Sequence, residues 1–159
     1  MSFSRSVKAV TRGLAIAGVA AAVGAGVTVP AHADEELPLY NVGVSRCVDG
    51  NQQGALYMSG CWAGDPGQRI VLRTHNQGAW ELKHRLSGRC LTNLVDNTMV
   101  VELRPCTGGT DQQWRRPQGG GDGFKLKNER TGRVLDSNGV SVYALESVNS
   151  THQLWHFEP

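Results

Sequence analysis

The 159-residue sequence is poor in the signatures of catalysis: it holds no Gly-x-Ser-x-Gly, no His-Glu-x-x-His and no Cys-x-x-Cys. Those absences remove the nucleophile elbow, the zinc-protease helix and the usual paired-thiolate metal site. Its paired carboxylates, Glu35 and Glu36, stand near the start of the expected mature chain, where a ragged terminus gives no fixed acid–base geometry. His75, His84, His152 and His156 do not flank the cysteines at ligand spacing, and His152 and His156, around Trp155, read as surface or strand-edge residues. No enzyme activity, metal or cofactor is therefore expected. A clustered stripe of basic residues is also missing, which argues against nucleic acid as a partner.

A long apolar run is lacking too. "GLAIAGVAAAVGAGVTV" (13–29) is 17 residues broken by glycines, short of the roughly 20 that a membrane helix needs. With Arg5, Lys8 and Arg12 before it and Ala31-His32-Ala33 after it, the stretch reads as a secretory signal peptide over residues 1–33, removed before Asp34. A secreted, extracellular product with no membrane span after cleavage follows. The leader holds three of the 16 Lys and Arg and none of the 14 Asp and Glu, leaving 13 cations against 14 anions over the 126 residues from Asp34. That is enough chain for one domain with a core.

Laid over itself, the mature chain shows three registers, a period that decides the architecture. Arg46, Arg89 and Arg133 fall in "SRCVD", "GRCLT" and "GRVLD"; nine residues upstream stand Leu37, Trp80 and Phe124. Downstream, "ALYM" (55–58), "VVEL" (100–103) and "SVYA" (141–144) align, followed by "QRIVL", "QQWRR" and "QLWHF". Gln-x-Trp thus occurs at Gln112–Trp114 and Gln153–Trp155, with Ile70 in the tryptophan's place after Gln68. Turn-formers such as "DGNQQG", "TGGT" and "GGGDG" separate short alternating segments, so each unit reads as four strands with hairpins, twelve in all. Period-two alternation puts the Gln and the Trp or Ile on one strand face, as a shared core layer in which the glutamine satisfies backbone groups. No unit can bury that layer alone, so the three should close on one another.

Gln-x-Trp recurring after "GRCL"-type segments resembles the ricin B-type lectin family. The resemblance covers the mature chain and implies an all-β β-trefoil of three four-stranded repeats with pseudo-threefold symmetry, at about 37–79, 80–123 and 124–159. Cys47 and Cys61 lie in the first unit and Cys90 and Cys106 in the second, while Val134 and Ser147 replace both in the third. Four cysteines allow three pairings; their joint absence from one unit points to Cys47 with Cys61 and Cys90 with Cys106, as the resemblance also implies. Each bridge closes a loop worth about 3 kcal/mol in the chain-entropy account.

The resemblance also implies a carbohydrate-binding protein, its partner a glycan or polysaccharide. The alternative is a protein-binding trefoil, an inhibitor or a subunit of a secreted complex or toxin, with degenerate sugar sites. The family places an aspartate two residues after the first cysteine position, a polar residue four before the second, an aromatic two before it, and a polar residue ahead of the glutamine. These positions hold Asp49, Tyr57, Ser59 and Gly67 in the first unit, Thr92, Glu102, Arg104 and Asp111 in the second, and Asp136, Tyr143, Leu145 and His152 in the third. None has the family's stacking aromatic; Trp62 or the tyrosines are left to supply a ring from another direction. The third unit, with Asp136, Tyr143, His152 and Gln153, ranks first; the first unit, with Asp49, Tyr57 and Gln68, ranks second. Asp136 has a competing reading as the residue that closes the "DSNG" turn. Asn149-Ser150-Thr151 is a glycosylation sequon, but the short Ala-rich leader looks bacterial. Processing is directly measurable: the intact mass of the secreted product should begin at Asp34, and a mass retaining residues 1–33 in the medium contradicts the leader.

Overall fold

The structure, a computed structural model, describes residues 35–75, 78–116 and 123–158, all within one compact unit. The expected signal peptide lies outside the described residues, as does most of "GGGDG". Among them are thirteen strands: β1 (Glu36–Leu37), β2 (Leu39–Asn41), β3 (Arg46–Gly50), β4 (Leu56–Ser59), β5 (Ile70–Thr74), β6 (Ala79–His84), β7 (Cys90–Asn93), β8 (Val101–Arg104), β9 (Gln113–Arg115), β10 (Lys127–Asn128), β11 (Val134–Ser137), β12 (Val142–Leu145) and β13 (Trp155–Phe157). The thirteenth arises because Pro38, which has no N–H to give a ladder, splits the first strand into β1 and β2. No helix among the described residues is long and apolar enough to cross a membrane.

The units close on one another through their first and last strands. Leu37 pairs with Ile70, Trp80 with Trp114 and Phe124 with Trp155, each joining the opening and closing strands of one unit. Four residues further along, Asn41 pairs with Trp155, His84 with Ile70 and Asn128 with Trp114, joining each opening strand to the closing strand of the unit before it. The ring of pairings has no first or last member, which is how a barrel removes its edges. In each unit a hairpin caps the barrel: β3 with β4, β7 with β8, and β11 with β12.

The Gln-x-Trp layer is buried, but not on one strand. Each glutamine ends a short 3-10 turn, Pro66–Gln68, Thr110–Gln112 or Thr151–Gln153, and the strand starts after it. The turn brings glutamine and core residue inward together, where alternation along one strand was expected to do so. Ile70, Trp114 and Trp155 are at most 1% exposed and pack against Val48, Leu91, Leu126 and Leu135 in one apolar cluster. The buried indoles stay satisfied: Trp114 Nε1 donates to Leu91 O at 2.9 Å and Trp155 Nε1 to the equivalent Leu135 O at 3.0 Å.

Cys47–Cys61 and Cys90–Cys106 are bridged within their units, spanning 14 and 16 residues. In the third unit Lys125 Nζ holds the loop instead, donating to Ser147 Oγ at 2.9 Å and Val148 O at 2.7 Å. Because both indoles are sealed, Trp114→Ala and Trp155→Ala should each cost about 3–5 kcal/mol in denaturant unfolding. Unchanged stability in either variant contradicts a shared core layer.

Candidate functional site

Three equivalent glutamines stand beneath the three positions where the family resemblance places a sugar. Gln68 Oε1 accepts from Trp62 N at 2.8 Å while its Nε2 donates to Gly60 O at 2.9 Å. Gln112 does the same with Thr107 N (2.7 Å) and Pro105 O (2.8 Å), and Gln153 with Val148 N (2.9 Å) and Glu146 O (2.8 Å). Each amide therefore clamps the loop around the second cysteine position and satisfies backbone groups there. Nε2 also reaches the residue at the family's aspartate position: Asp49 Oδ2 at 3.3 Å, Thr92 Oγ1 at 3.0 Å and Asp136 Oδ2 at 3.0 Å. Gln68 and Gln153 are at most 1% exposed, so their place is in the frame beneath the pocket.

The carboxylates differ in how much of their bonding capacity the protein uses. Asp49 accepts from Gly50 N through Oδ1 at 2.6 Å and from Ser59 Oγ and Gln68 through Oδ2. Gly67 presses on the same group: a β-carbon there would fall 2.7 Å from Asp49 Oδ1 and 2.5 Å from Gly50 O, so only glycine fits. Asp136 takes Gln153 on Oδ2 and faces Tyr143, its partner across β11 and β12. Burial raises the Tyr143 hydroxyl above its ordinary pKa, and the charge of Asp136 and a hydrogen bond to it add to the rise. Tyr57 is raised for the same reasons, burial first and then Asp49, although it is 38% exposed. Both phenols thus stay protonated, each with its proton turned to the carboxylate beside it.

Asp136 does not close the turn that follows it. Ser137 Oγ accepts from Gly139 N, and Asn138 Oδ1 accepts from Val140 N and Ser141 N. In the second unit, Arg104 bonds Glu102 along β8 at 2.9–3.0 Å, and Thr92 gives its hydroxyl to Cys90 O.

Of the third-unit residues, the structure brings Asp136, Tyr143 and Gln153 together, whereas the His152 ring lies against the first unit. A β-carbon on Gly43 would meet His152 Cδ2 at 2.4 Å. Trp62 is 68% exposed and lines a hollow of about 320 Å³ with Tyr40, the Cys47–Cys61 bridge and Glu158, a set that leaves out Asp49. Sequence reasoning missed His84, which is fully buried at the junction of the first two units. Its signal was available: His84 aligns with Asn41 and Asn128, four residues after Trp80, Leu37 and Phe124.

Comparisons with known proteins agree with this geometry. A family described as ricin-type beta-trefoil lectin domain-like matches residues 66–149, more than half of the chain. No curated protein sequence matches. Among solved structures, the designed threefold-symmetric protein ThreeFoil is similar at 23% identity and a TM-score of 0.68, over 77% of this chain and 96% of its own. The Polyporus squamosus lectin, solved with a sialylated glycan epitope, is similar at 17% identity and 0.67, over 78% of this chain and 48% of its own. An exo-beta-1,3-galactanase from Clostridium thermocellum is similar at 19% identity and 0.69, over 79% and 30%. The chain therefore spans less than half of that lectin and under a third of that galactanase, and at these identities the likeness is one of fold. With the threefold barrel, the repeated glutamine frame and the family match in one register, this chain belongs to the ricin-type β-trefoil lectin-like family.

Proposed function

We propose that the protein is a secreted carbohydrate-binding protein with no catalytic activity of its own, and that its third unit holds the sugar. The observation that carries the reading is the Asp136–Tyr143–Gln153 group, a buried carboxylate with a protonated phenol beside it and one oxygen fixed by a clamped amide. A pyranose presents neighbouring hydroxyls that can donate to the carboxylate and to the phenol oxygen, whose own proton is held by Asp136. The first unit repeats the pair as Asp49 and Tyr57 but spends Asp49 on Gly50, Ser59 and Gln68, and so ranks below the third. In the second, a hydroxyl and an internal ion pair stand where the carboxylate and phenol would be. The leader pattern and two disulfides support secretion, since such bridges persist in oxidising compartments.

A glycan array run with the oxidised mature protein tests the reading, with Asp136→Ala and Tyr143→Ala beside it. Binding should appear in the wild type, and each variant should lose most of it while melting within a few degrees of the wild type. Silence of the folded wild type across the array contradicts sugar binding and moves the family surface to a protein partner. Unchanged binding by both variants removes the third unit.

A further inference from the structure

Each junction between units is tied by one buried side chain at the end of the opening strand. Asn41 Nδ2 donates to His152 O at 2.7 Å, His84 Nε2 lies 2.8 Å from Gly67 O, and Asn128 Nδ2 donates to Asp111 O at 2.8 Å. The residue just before each tie faces the closing strand of the preceding unit, and there the junctions part in chemistry. Tyr40 is opposite His156, with ring centroids 4.6 Å apart, and Lys83 is opposite Val71. At the junction of the second and third units Lys127 is opposite Arg115, two cations in direct register. Like charges placed directly opposite across a ladder repel and cost stability. The turn after β10 adds a third cation: Arg130 lines a hollow of about 470 Å³ with Arg115 and Lys127. Glu129 is the only carboxylate among the described residues that line it, and it accepts from Arg115 Nε. Three cations against one anion leave two positive charges, in a mature chain whose 13 cations and 14 anions nearly cancel. Among the described residues no hydrogen bond or ion pair engages the side-chain nitrogens of Lys127 or Arg130. Asn128, fully buried, fixes the floor: its Oδ1 accepts from Arg130 N and Thr131 N at 3.1 Å each, and Gly132 N donates to Asn128 O at 3.0 Å. Thr131 Oγ1 is bonded to Asn93 Oδ1 of the second unit, so the turn is held from outside as well. A β-carbon on Gly132 would meet Lys127 Cε at 3.8 Å, which sets the lysine stem along the turn that carries Arg130.

We propose that this hollow at the junction of the second and third units binds the anionic group of an acidic sugar, a carboxylate or a sulfate ester, separately from the Asp136 site. Lys127 and Arg130 supply the positive charge, since an ammonium and a guanidinium offer donors and no acceptors. The Arg115 guanidinium stands opposite Lys127, so an oxyanion held between the two is attracted by both and relieves their repulsion. Glu129 supplies an acceptor. A sugar acid carries an oxyanion and hydroxyl donors on one ring, and it engages both signs in the wall, the oxyanion on the cations and a hydroxyl on Glu129. A DNA phosphodiester backbone offers only acceptors and meets Glu129 as a repelling charge. Among the described residues no aromatic ring lines the hollow to stack a base, and no apolar side chain lines it to enter a bilayer. Its volume of about 470 Å³ lies in the range of roughly 300–1,000 Å³ of small-ligand clefts. The attraction acts between exposed charges, so binding weakens as salt rises.

Amide spectra of the labelled mature protein, titrated at low salt with galacturonate and with galactose 6-sulfate, test the site and separate carboxylate from sulfate as its anion. Saturable shifts should appear at 115 and 127–132 with at least one of the two sugars and should weaken as salt is added. Lys127→Gln combined with Arg130→Gln should weaken that binding about tenfold, the order expected when two exposed charge-assisted contacts are removed. Lys127→Gln alone should melt at or above the wild-type temperature, because it removes one of two opposed cations. A fall of several degrees instead makes Lys127 a structural residue and overturns the proposal. So do silence at 115 and 127–132 with both sugars, unchanged binding by the double variant, and equal affinity for sodium acetate or sodium sulfate alone. Tighter binding of a thymidine oligonucleotide or of phosphatidylglycerol vesicles at the same residues overturns it in favour of a nucleic acid or a membrane. Shifts at 134–137 and 142–145 report the Asp136 site by themselves, so the failure of either site is seen apart from the other.

Discussion

A buried glutamine is the constraint around which each unit is arranged. Gln68, Gln112 and Gln153 each spend an amide oxygen on one loop N–H and an amide nitrogen on a loop C=O and on the pocket residue. An apolar replacement would leave an N–H and a C=O unpaired in the interior, at about 1–3 kcal/mol for each group left unsatisfied. Two residues later the chain places Ile70, Trp114 or Trp155 in the core. One three-residue motif thus fixes the pocket frame on one side and the barrel packing on the other, which is why the motif recurs once per unit.

The same economy governs the junctions, where a single side chain at position 41, 84 or 128 ties a unit to its predecessor. Equivalent geometry does not make the units equivalent in chemistry. The first has spent its carboxylate on internal donors, the second carries an internal ion pair, and the third keeps a carboxylate beside a phenol. The third also lacks a disulfide and holds its loop with Lys125. Duplicated frames of this kind can diverge one pocket at a time without disturbing the barrel, because the glutamine clamp is satisfied largely by backbone groups.

The all-β trefoil, its three registers and both disulfides were legible in the sequence, because a repeat displays its equivalent positions and the third unit lost both cysteines together. Less legible were features that depend on local backbone. The split of the first strand follows from Pro38, and the 3-10 turns that carry the glutamines replace a strand the alternation suggested. The turn reading of Asp136 failed because Ser137 and Asn138, adjacent polar residues of equal suitability, take that work. His152 aligned with the pocket, yet its ring fills the space that glycine leaves at Gly43, a contact 109 positions away in sequence that no local pattern encodes. His84 was visible in register but hidden by residue type, since histidine and asparagine look unrelated until the hydrogen bonds are drawn.

The central claim is that one of three equivalent frames has the chemistry to hold a sugar, and a residue-resolved binding map reaches it most directly. Amide spectra of the labelled mature protein, titrated with galactose, N-acetylgalactosamine, lactose and xylose, report which unit responds. The account predicts saturable shifts concentrated at 134–137, 142–145 and 150–153 with at least one of these sugars. Shifts centred on Trp62 and Tyr40, or no shift with any sugar in a folded spectrum, would contradict it.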